Sequence, residues 1–492
     1  MLERSVWRPR WYAWILLGVA VLALIHEIVP RLLRGHWLIL TPCLLAVGLL
    51  ALRRVWELPP VLTMCGAVVL ATFSGAWSKI GLGGLPLDRL LIVVVLLAFF
   101  LRAPGVARAP RLQIRNVHLL LCLTIMYVLA SALSAGTLNS EVGGLSLLDQ
   151  VGVVPYLTFL IAPAVFATQR ERNMLLTTLV GLGAYLGFTA IFESLGPHSL
   201  VFPSYIVHVD AVLPEARAGG PFQSSVAEGF ATFACAVAAV MAFVEWHGQR
   251  RRFFAAVVAM VCILGCFLTL ERGVWIAAVA GIVVTALATR TGRRWLIPGT
   301  SVCAVVIGGA LLLSPALASK ASTRVSYQPS VWARQDQTAA GLRMIEAKPL
   351  FGFGWRRFER DGLEYFQQSK DHPLTGYSTF EKPLPLHDTY LSYAVELGLI
   401  GALLWLTSLL WGVGGAIFSR GSADLRTWKL GLLAITVFFL VVALFNPYQA
   451  PFSELLLWVW AGVALGIAPS SLHERRAKMV ARRNGDAAWA PA

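Results

Sequence analysis

Charge is scarce in this chain. Of 492 residues only 14% are charged and 57% are hydrophobic, and the mean hydropathy is +0.69. That balance excludes an ordinary soluble enzyme. Cysteine gives no framework either: Cys43, Cys65, Cys122, Cys235, Cys262, Cys266 and Cys303 all fall within apolar runs. They read as small packing hydrophobes, which argues against a disulfide scaffold and a metal centre. A P-loop, a dinucleotide fingerprint and a paired-carboxylate glycosidase pattern are also missing. The first apolar run, 11–29, is too long for a signal peptide and lacks a small-residue cleavage site, so it is expected to stay as a span.

What the chain has in quantity is apolar sequence of near-spanning length. Runs occur at roughly 11–29, 37–52, 60–76, 89–101, 117–135, 152–168, 174–192, 225–244, 253–270, 274–289, 296–314, 389–418, 428–446 and 453–468. Allowing for the short run at 89–101 and for Pro42 in the second, these predict an all-α polytopic membrane protein with about 12–14 transmembrane helices. The net charge of +15 sorts by side. With the N-terminus inside, Arg8, Arg53, Arg108, Arg251, Arg293, Arg426, Arg475 and most other basic residues fall on one set of short connections and on the tail. By the positive-inside rule both termini are cytoplasmic and the other face is periplasmic. The charge is thus a topology signal and does not indicate nucleic acid.

The expected organisation has five parts. Residues 1–116 form N-terminal transmembrane helices, and 117–314 form central ones with an outer loop at 193–224. A long periplasmic loop, 315–388, carries an amphipathic helix; C-terminal helices span 389–468, and a basic cytoplasmic tail follows at 469–492. In the long loop, Trp332, Ala339, Leu342 and Ile345 recur near helical spacing, and Pro349 is expected to end that helix. Leu350-Phe-Gly-Phe-Gly354 is a glycine-punctuated turn, followed by Arg356, Arg357 and Arg360. These arginines suit anionic headgroups or an anionic substrate.

Polar residues concentrate on the expected outer face. Arg217-Ala-Gly-Gly-Pro-Phe ends in a tight turn, with Ser224 or Ser225 as cap for the next span; an anion suits such a helix start. Glu228 lies about one turn inside that span, where a carboxylate is costly and needs a partner, for which Arg272 is the candidate. Glu271-Arg272-Gly273 is a very short turn at the outer boundary. An arginine there either snorkels to headgroups or faces a polar cavity, and Glu271 could neutralise it locally. His387 stands at the mouth of the span that begins near residue 389. An imidazole can take a proton from an attacking hydroxyl, and two arginines suit a diphosphate. One base and two cations on one face suggest transfer with a diphosphate leaving group.

The order of these features, from about 117 to 468, resembles the O-antigen ligase/polymerase superfamily. The motifs are Arg217-Ala-Gly-Gly-Pro-Phe, Glu271-Arg272-Gly273-Val-Trp275, and the stretch from Trp332 through Arg343 to Pro349-Leu-Phe-Gly-Phe-Gly354. The last is His387-Asp-Thr-Tyr390-Leu with Glu396-Leu-Gly398-Leu-Ile-Gly401. The resemblance implies a glycosyltransferase C-like membrane fold and an inverting, metal-independent glycosyltransferase without a cofactor, in the bacterial inner membrane. It also implies an undecaprenyl-diphosphate-linked glycan donor, a lipid A-core or carrier-linked glycan acceptor, and contact with membrane lipids. By motif match His387 activates the acceptor hydroxyl, Arg217 and Arg272 hold the diphosphate, and Glu228, Arg343 and Tyr390 count as supporting residues. Asp388 stands where the family often has Asn, and Gln223-Ser224-Ser225 lacks an Asn common there. A transporter of an anionic or lipid-linked substrate is the competing class. It predicts internal repeats and polar groups at mid-membrane, and neither is evident. A structural member of an envelope complex ranks below both.

Overall fold

The computed structural model describes residues 59–74, 87–100, 113–138, 147, 150, 152–207, 217–368, 371, 373, 385–420, 423–446 and 450–466. The first two expected spans, the basic tail and residues 208–216 lie outside them. Among the described residues the chain is helical with no strand, and this is an all-α polytopic membrane protein. Every expected run within those residues is a helix: α1 Pro60–Leu70, α2 Leu87–Phe100, α3 Asn116–Ala135, α4 Val153–Val165, α5 Gln169–Leu195, α6 Ser225–Glu245 and α7 Gln249–Leu268. After these come α8 Arg272–Leu287, α9 Arg290–Leu313, α10 Pro315–Ser326, α11 Pro329–Ala347, α12 Thr389–Leu409, α13 Arg426–Val442 and α14 Pro451–Leu465. Among the described residues six helices are long and apolar enough to cross a membrane: α3, α5, α6, α7, α9, and α12 with its extension to Phe418; α4, α8, α14 and the first helix with its 3-10 end to Phe73 are shorter.

Local chemistry sets several of the ends. Thr168 and Glu171 form a reciprocal capping box at the start of α5. Ser224 caps α6 by accepting the Ala227 N–H at 3.4 Å, as the sequence predicts. Asp388 caps α12 by accepting the Leu391 N–H at 3.0 Å, so the carboxylate at this position is engaged by its own helix. The bundle closes around α6 and α14, the most continuously buried helices. Phe230, Phe233, Phe438 and Phe439 pack at its centre, with Trp458 and Trp460 beside them. The described cysteines are free.

The long loop is held more firmly than its polarity suggests. Within α12 the backbone breaks at Gly398 (φ 69°, ψ 178°), and the turn before Gly354 fills the break. The N–H groups of Phe353 and Gly354 donate to the carbonyls of Val395 and Glu396 at 3.0 and 2.8 Å, and Leu399 donates back to Pro349 at 2.8 Å. Two motifs far apart in sequence are therefore one structural joint. Arg356 and Arg357 reinforce it. The Arg356 N–H donates to Glu396 Oε2 at 3.0 Å and its guanidinium to Gln150 at 2.6 Å. Arg357 Nε donates to the last-turn carbonyl of α3, Ala135, at 3.0 Å. These two arginines are ties between elements; the expectation that they face headgroups or substrate does not describe their contacts. A Cβ on Gly398 would lie 2.2 Å from the Leu350 carbonyl oxygen, and this backbone region is open essentially to glycine alone, at about 1–3 kcal/mol for other residues. Gly398→Ala is expected to lower the melting temperature of the detergent-purified protein by several degrees; an unchanged melting curve would show that the joint is not a stability determinant.

Candidate functional site at one mouth of the bundle

The starts of α6, α8 and α12 and the ends of α5, α7, α9 and α13 meet at one end of the bundle. Ala218 N–H donates to the Leu268 carbonyl at 3.1 Å, and Thr389 N–H to Ala443 at 2.8 Å. The helices α10 and α11 of the long loop lie over this end. Beneath them sits Glu271, 6% exposed, and three guanidiniums converge on its carboxylate. Arg217 Nη1 lies 3.4 Å from Oε2, Arg324 Nη2 lies 3.2 Å from the same oxygen, and Arg334 Nη2 lies 3.3 Å from Oε1. Arg324 is 5% exposed and also donates to the Leu270 carbonyl at 3.3 Å. Arg272 points past its neighbour: it donates to the Val325 carbonyl at 3.2 Å and to Ser330 Oγ at 2.8 Å. Glu271 acts on Arg272 through its charge, and its ion pairs are with three arginines that are distant in the chain.

The electrostatics of this cluster are lopsided. Among the described residues three guanidiniums share one carboxylate and a fourth, Arg272, lies beside them, so positive charge outnumbers negative at this mouth. Guanidiniums hold their charge, and uncompensated charge out of water is costly. An anion with several oxygens is the natural complement, and forked donors recognise phosphate oxygens in pairs.

His387 faces the same cluster. Burial is the main cause holding its imidazole below the ordinary pKa of 6.5; the Arg334 charge acts in the same direction, opposed by a hydrogen bond to the Pro385 carbonyl and by Glu271. The ring therefore stays in the neutral form at physiological pH, the form a general base needs. Its Nδ1 lies 3.1 Å from Gln337 Oε1, on α11. The structure thus brings His387, Arg217 and Arg272 to one mouth and adds Arg324, Arg334, Glu271 and Gln337.

The remaining candidates fall elsewhere. Tyr390 turns into the bundle, donating to the Leu440 carbonyl at 2.9 Å and packing edge-on against Trp405. Arg343 donates to the Tyr365 carbonyl at 2.7 Å. Glu228 is fully buried, neither carboxylate oxygen has a hydrogen-bond partner, and it lies under Gly220; the expected pairing with Arg272 is not made. Its neighbour Glu193 accepts the N–H groups of Gly219 and Gly220 at 3.0 and 2.9 Å. These two carboxylates shape the Arg217 loop from below. The amphipathic helix also differs from its expected face. The buried side of α11 carries Asp336, Gln337, Ala340, Gly341 and Met344, while Leu342 is exposed. The reason is that α11 covers a polar mouth, and Gly341 lets it approach Leu386 and Leu391 closely.

Two cavities flank the cluster. One, of 750 Å³, is mainly apolar and lies between the outer part of α9, the start of α10 and the ends of α5 and α7; Leu264, Val306, Leu317 and Lys320 line it. The other, of 530 Å³, is polar and lies on the far face of α11, lined by Trp332, Gln335, Asp336, Arg343, Gln367 and Asp371. Among the described residues no three His, Cys, Asp or Glu side chains group as a metal site.

Residues 255–406 match the family model described as O-antigen ligase. Over that segment the chain is similar to the O-antigen ligase family. No curated protein matches it. The O-antigen ligase segment runs from α7 to α12 and so contains Glu271, Arg272, Arg324, Arg334, Gln337 and His387, while Arg217 precedes it. The family supports glycan transfer of the ligase or polymerase type in general terms.

Proposed function

We propose that the protein moves a glycan from an undecaprenyl-diphosphate carrier to an acceptor hydroxyl at the periplasmic face of the bacterial inner membrane. The acceptor is lipid A-core for a ligase, or another carrier-linked glycan for a polymerase. The observation that carries this reading is the gathering of guanidinium charge around Glu271 beside a neutral, half-buried imidazole. Arg217, Arg272, Arg324 and Arg334 would bind the donor diphosphate and stabilise it as it leaves. His387 Nε2 takes the acceptor proton as the acceptor oxygen bonds to the anomeric carbon and the bond from that carbon to the phosphate oxygen breaks. Attack opposite the leaving group inverts the anomeric centre. The guanidiniums supply the positive charge that such a departure requires, so the proposed step needs no metal.

The two cavities fit the ends of such a donor. α10 lines the apolar cavity with Leu317 and Lys320 and delivers Arg324 one turn later, which suits a polyprenyl tail running to a diphosphate. The polar cavity, with one tryptophan among amides and carboxylates, suits a sugar chain: hydroxyls pair with the polar groups and a sugar face lies on the indole. Trp332→Ala is expected to raise the KM for the glycan substrate about tenfold with kcat little changed. A kcat effect with constant KM would remove the cavity from substrate binding.

The test of the proposal is incubation of purified protein with an undecaprenyl-diphosphate oligosaccharide, alone and with lipid A-core. A ladder from donor alone identifies a polymerase, and product only with lipid A-core identifies a ligase. Flux across proteoliposomes without covalent product would replace the proposal by the transporter reading.

A further inference from the structure

Gln337 makes a set of contacts around His387 that can be satisfied in one way only. The His387 backbone N–H, which can only donate, lies 3.2 Å from Gln337 Oε1. The Pro385 carbonyl, which can only accept, lies 3.2 Å from Gln337 Nε2. These two contacts fix the orientation of the side-chain amide. The same Oε1 lies 3.1 Å from His387 Nδ1. Two acceptors cannot share a hydrogen bond, so Nδ1 carries the proton and the lone pair of the neutral ring is on Nε2. Gln337 is 1% exposed, and it sits on the buried side of α11 with Gly341 and Met344, three residues after Arg334.

We infer that Gln337 is a positioning residue, which orients His387 and selects the tautomer with Nε2 free to take the acceptor proton. The inference rests on the proposed role of His387 as general base and adds to it the reason why one ring nitrogen is the reactive one. An amide does this differently from a carboxylate. It accepts the Nδ1 proton without adding negative charge, so the ring is held in place while its affinity for a proton stays low. The charged groups acting on the ring are then Arg334 from α11 and Glu271 from the start of α8, with opposite effects. A carboxylate in place of Gln337 would favour the imidazolium, and a base already protonated accepts nothing.

The test is the pH dependence of kcat/KM for transfer in wild type, Gln337→Glu and Gln337→Leu, with His387→Ala as control. Gln337→Glu keeps an acceptor toward Nδ1 and is expected to move the acid limb upward by about 1–3 pH units. Gln337→Leu is expected to lower kcat about 10–100-fold, the size of effect seen when a ligand-orienting partner is removed, with the donor KM little changed. A side chain serving only the packing of α11 would leave the limb where it is. If the Gln337→Glu limb coincides with that of wild type, the inference is overturned while the base role of His387 stands. If His387→Ala retains wild-type rate, the base role fails and this inference falls with it. Should Gln337→Leu not fold, the near-isosteric Gln337→Glu still decides the matter.

Discussion

Replacing His387 by alanine is expected to lower the rate of glycan transfer about 10²–10⁴-fold, the usual contribution of a positioned general base, with donor binding nearly intact. The expectation follows from geometry. The ring is half-buried at the mouth of α12, held by Gln337, and placed within the influence of Arg334 and Glu271. In the proposed reaction the diphosphate is held by other residues, so binding should survive the loss of the ring. The pH profile adds a sign. Because the imidazole pKa is lowered by burial and by Arg334, the active neutral form persists as pH falls through the ordinary histidine value of 6.5. The acid limb of kcat/KM, which reports the free enzyme, therefore lies below that value. A bound diphosphate adds negative charge near the ring and offsets Arg334. The limb in kcat should then lie at higher pH than the limb in kcat/KM. A limb in kcat/KM well above 6.5 would show that the ring is not held as described.

The second large effect is expected at Arg324. Its side chain is among the most buried charged groups at this mouth and contacts both Glu271 and the Leu270 carbonyl. Arg324→Ala is expected to reduce kcat/KM about 10²–10³-fold, the scale for losing one preorganised charge-stabilising donor. Inorganic diphosphate is expected to stabilise the wild-type protein against heat in proportion to ligand saturation, and Arg324→Ala should abolish that effect. Arg324→Lys keeps the charge but loses the fork, so it should restore stabilisation only in part. Glu271→Gln gives the opposite sign in the ligand-free protein. Removing the shared carboxylate leaves the guanidiniums repelling one another, so the ligand-free protein melts lower, and added diphosphate raises its melting temperature by more than in wild type. If diphosphate stabilises Arg324→Ala as strongly as wild type, the cluster is a structural ion-pair network and not an anion site.

Much of the site could be read from sequence because its parts sit at element ends. His387 directly precedes a span, Arg272 begins one, and Arg217 stands before a glycine-proline turn; each is a polar residue where apolar periodicity stops. Arg324 and Arg334 were hidden among the basic residues of a long polar loop. They meet Glu271 across 53 and 63 residues of chain, and no local pattern encodes such a pairing. Gln337 was obscured for a related reason. A helix laid over a polar mouth turns polar residues inward, so the apolar face read from Trp332, Ala339, Leu342 and Ile345 was not the buried one. The helices themselves follow from apolar runs and caps, but the joint between Gly398 and the turn before Gly354 does not. Both motifs were visible, and only the fold shows that one is the seat of the other.

The proposed reaction is a direct displacement from a carrier diphosphate, with His387 as base and guanidiniums on the leaving group. The anomeric configuration of the new linkage tests it most directly, determined by NMR on product made by the purified wild-type protein from an undecaprenyl-diphosphate donor of known configuration. Inversion at the transferred anomeric carbon is expected, with one undecaprenyl diphosphate released per linkage formed. Retention of configuration would require a covalent glycosyl intermediate or a second displacement, and would contradict it.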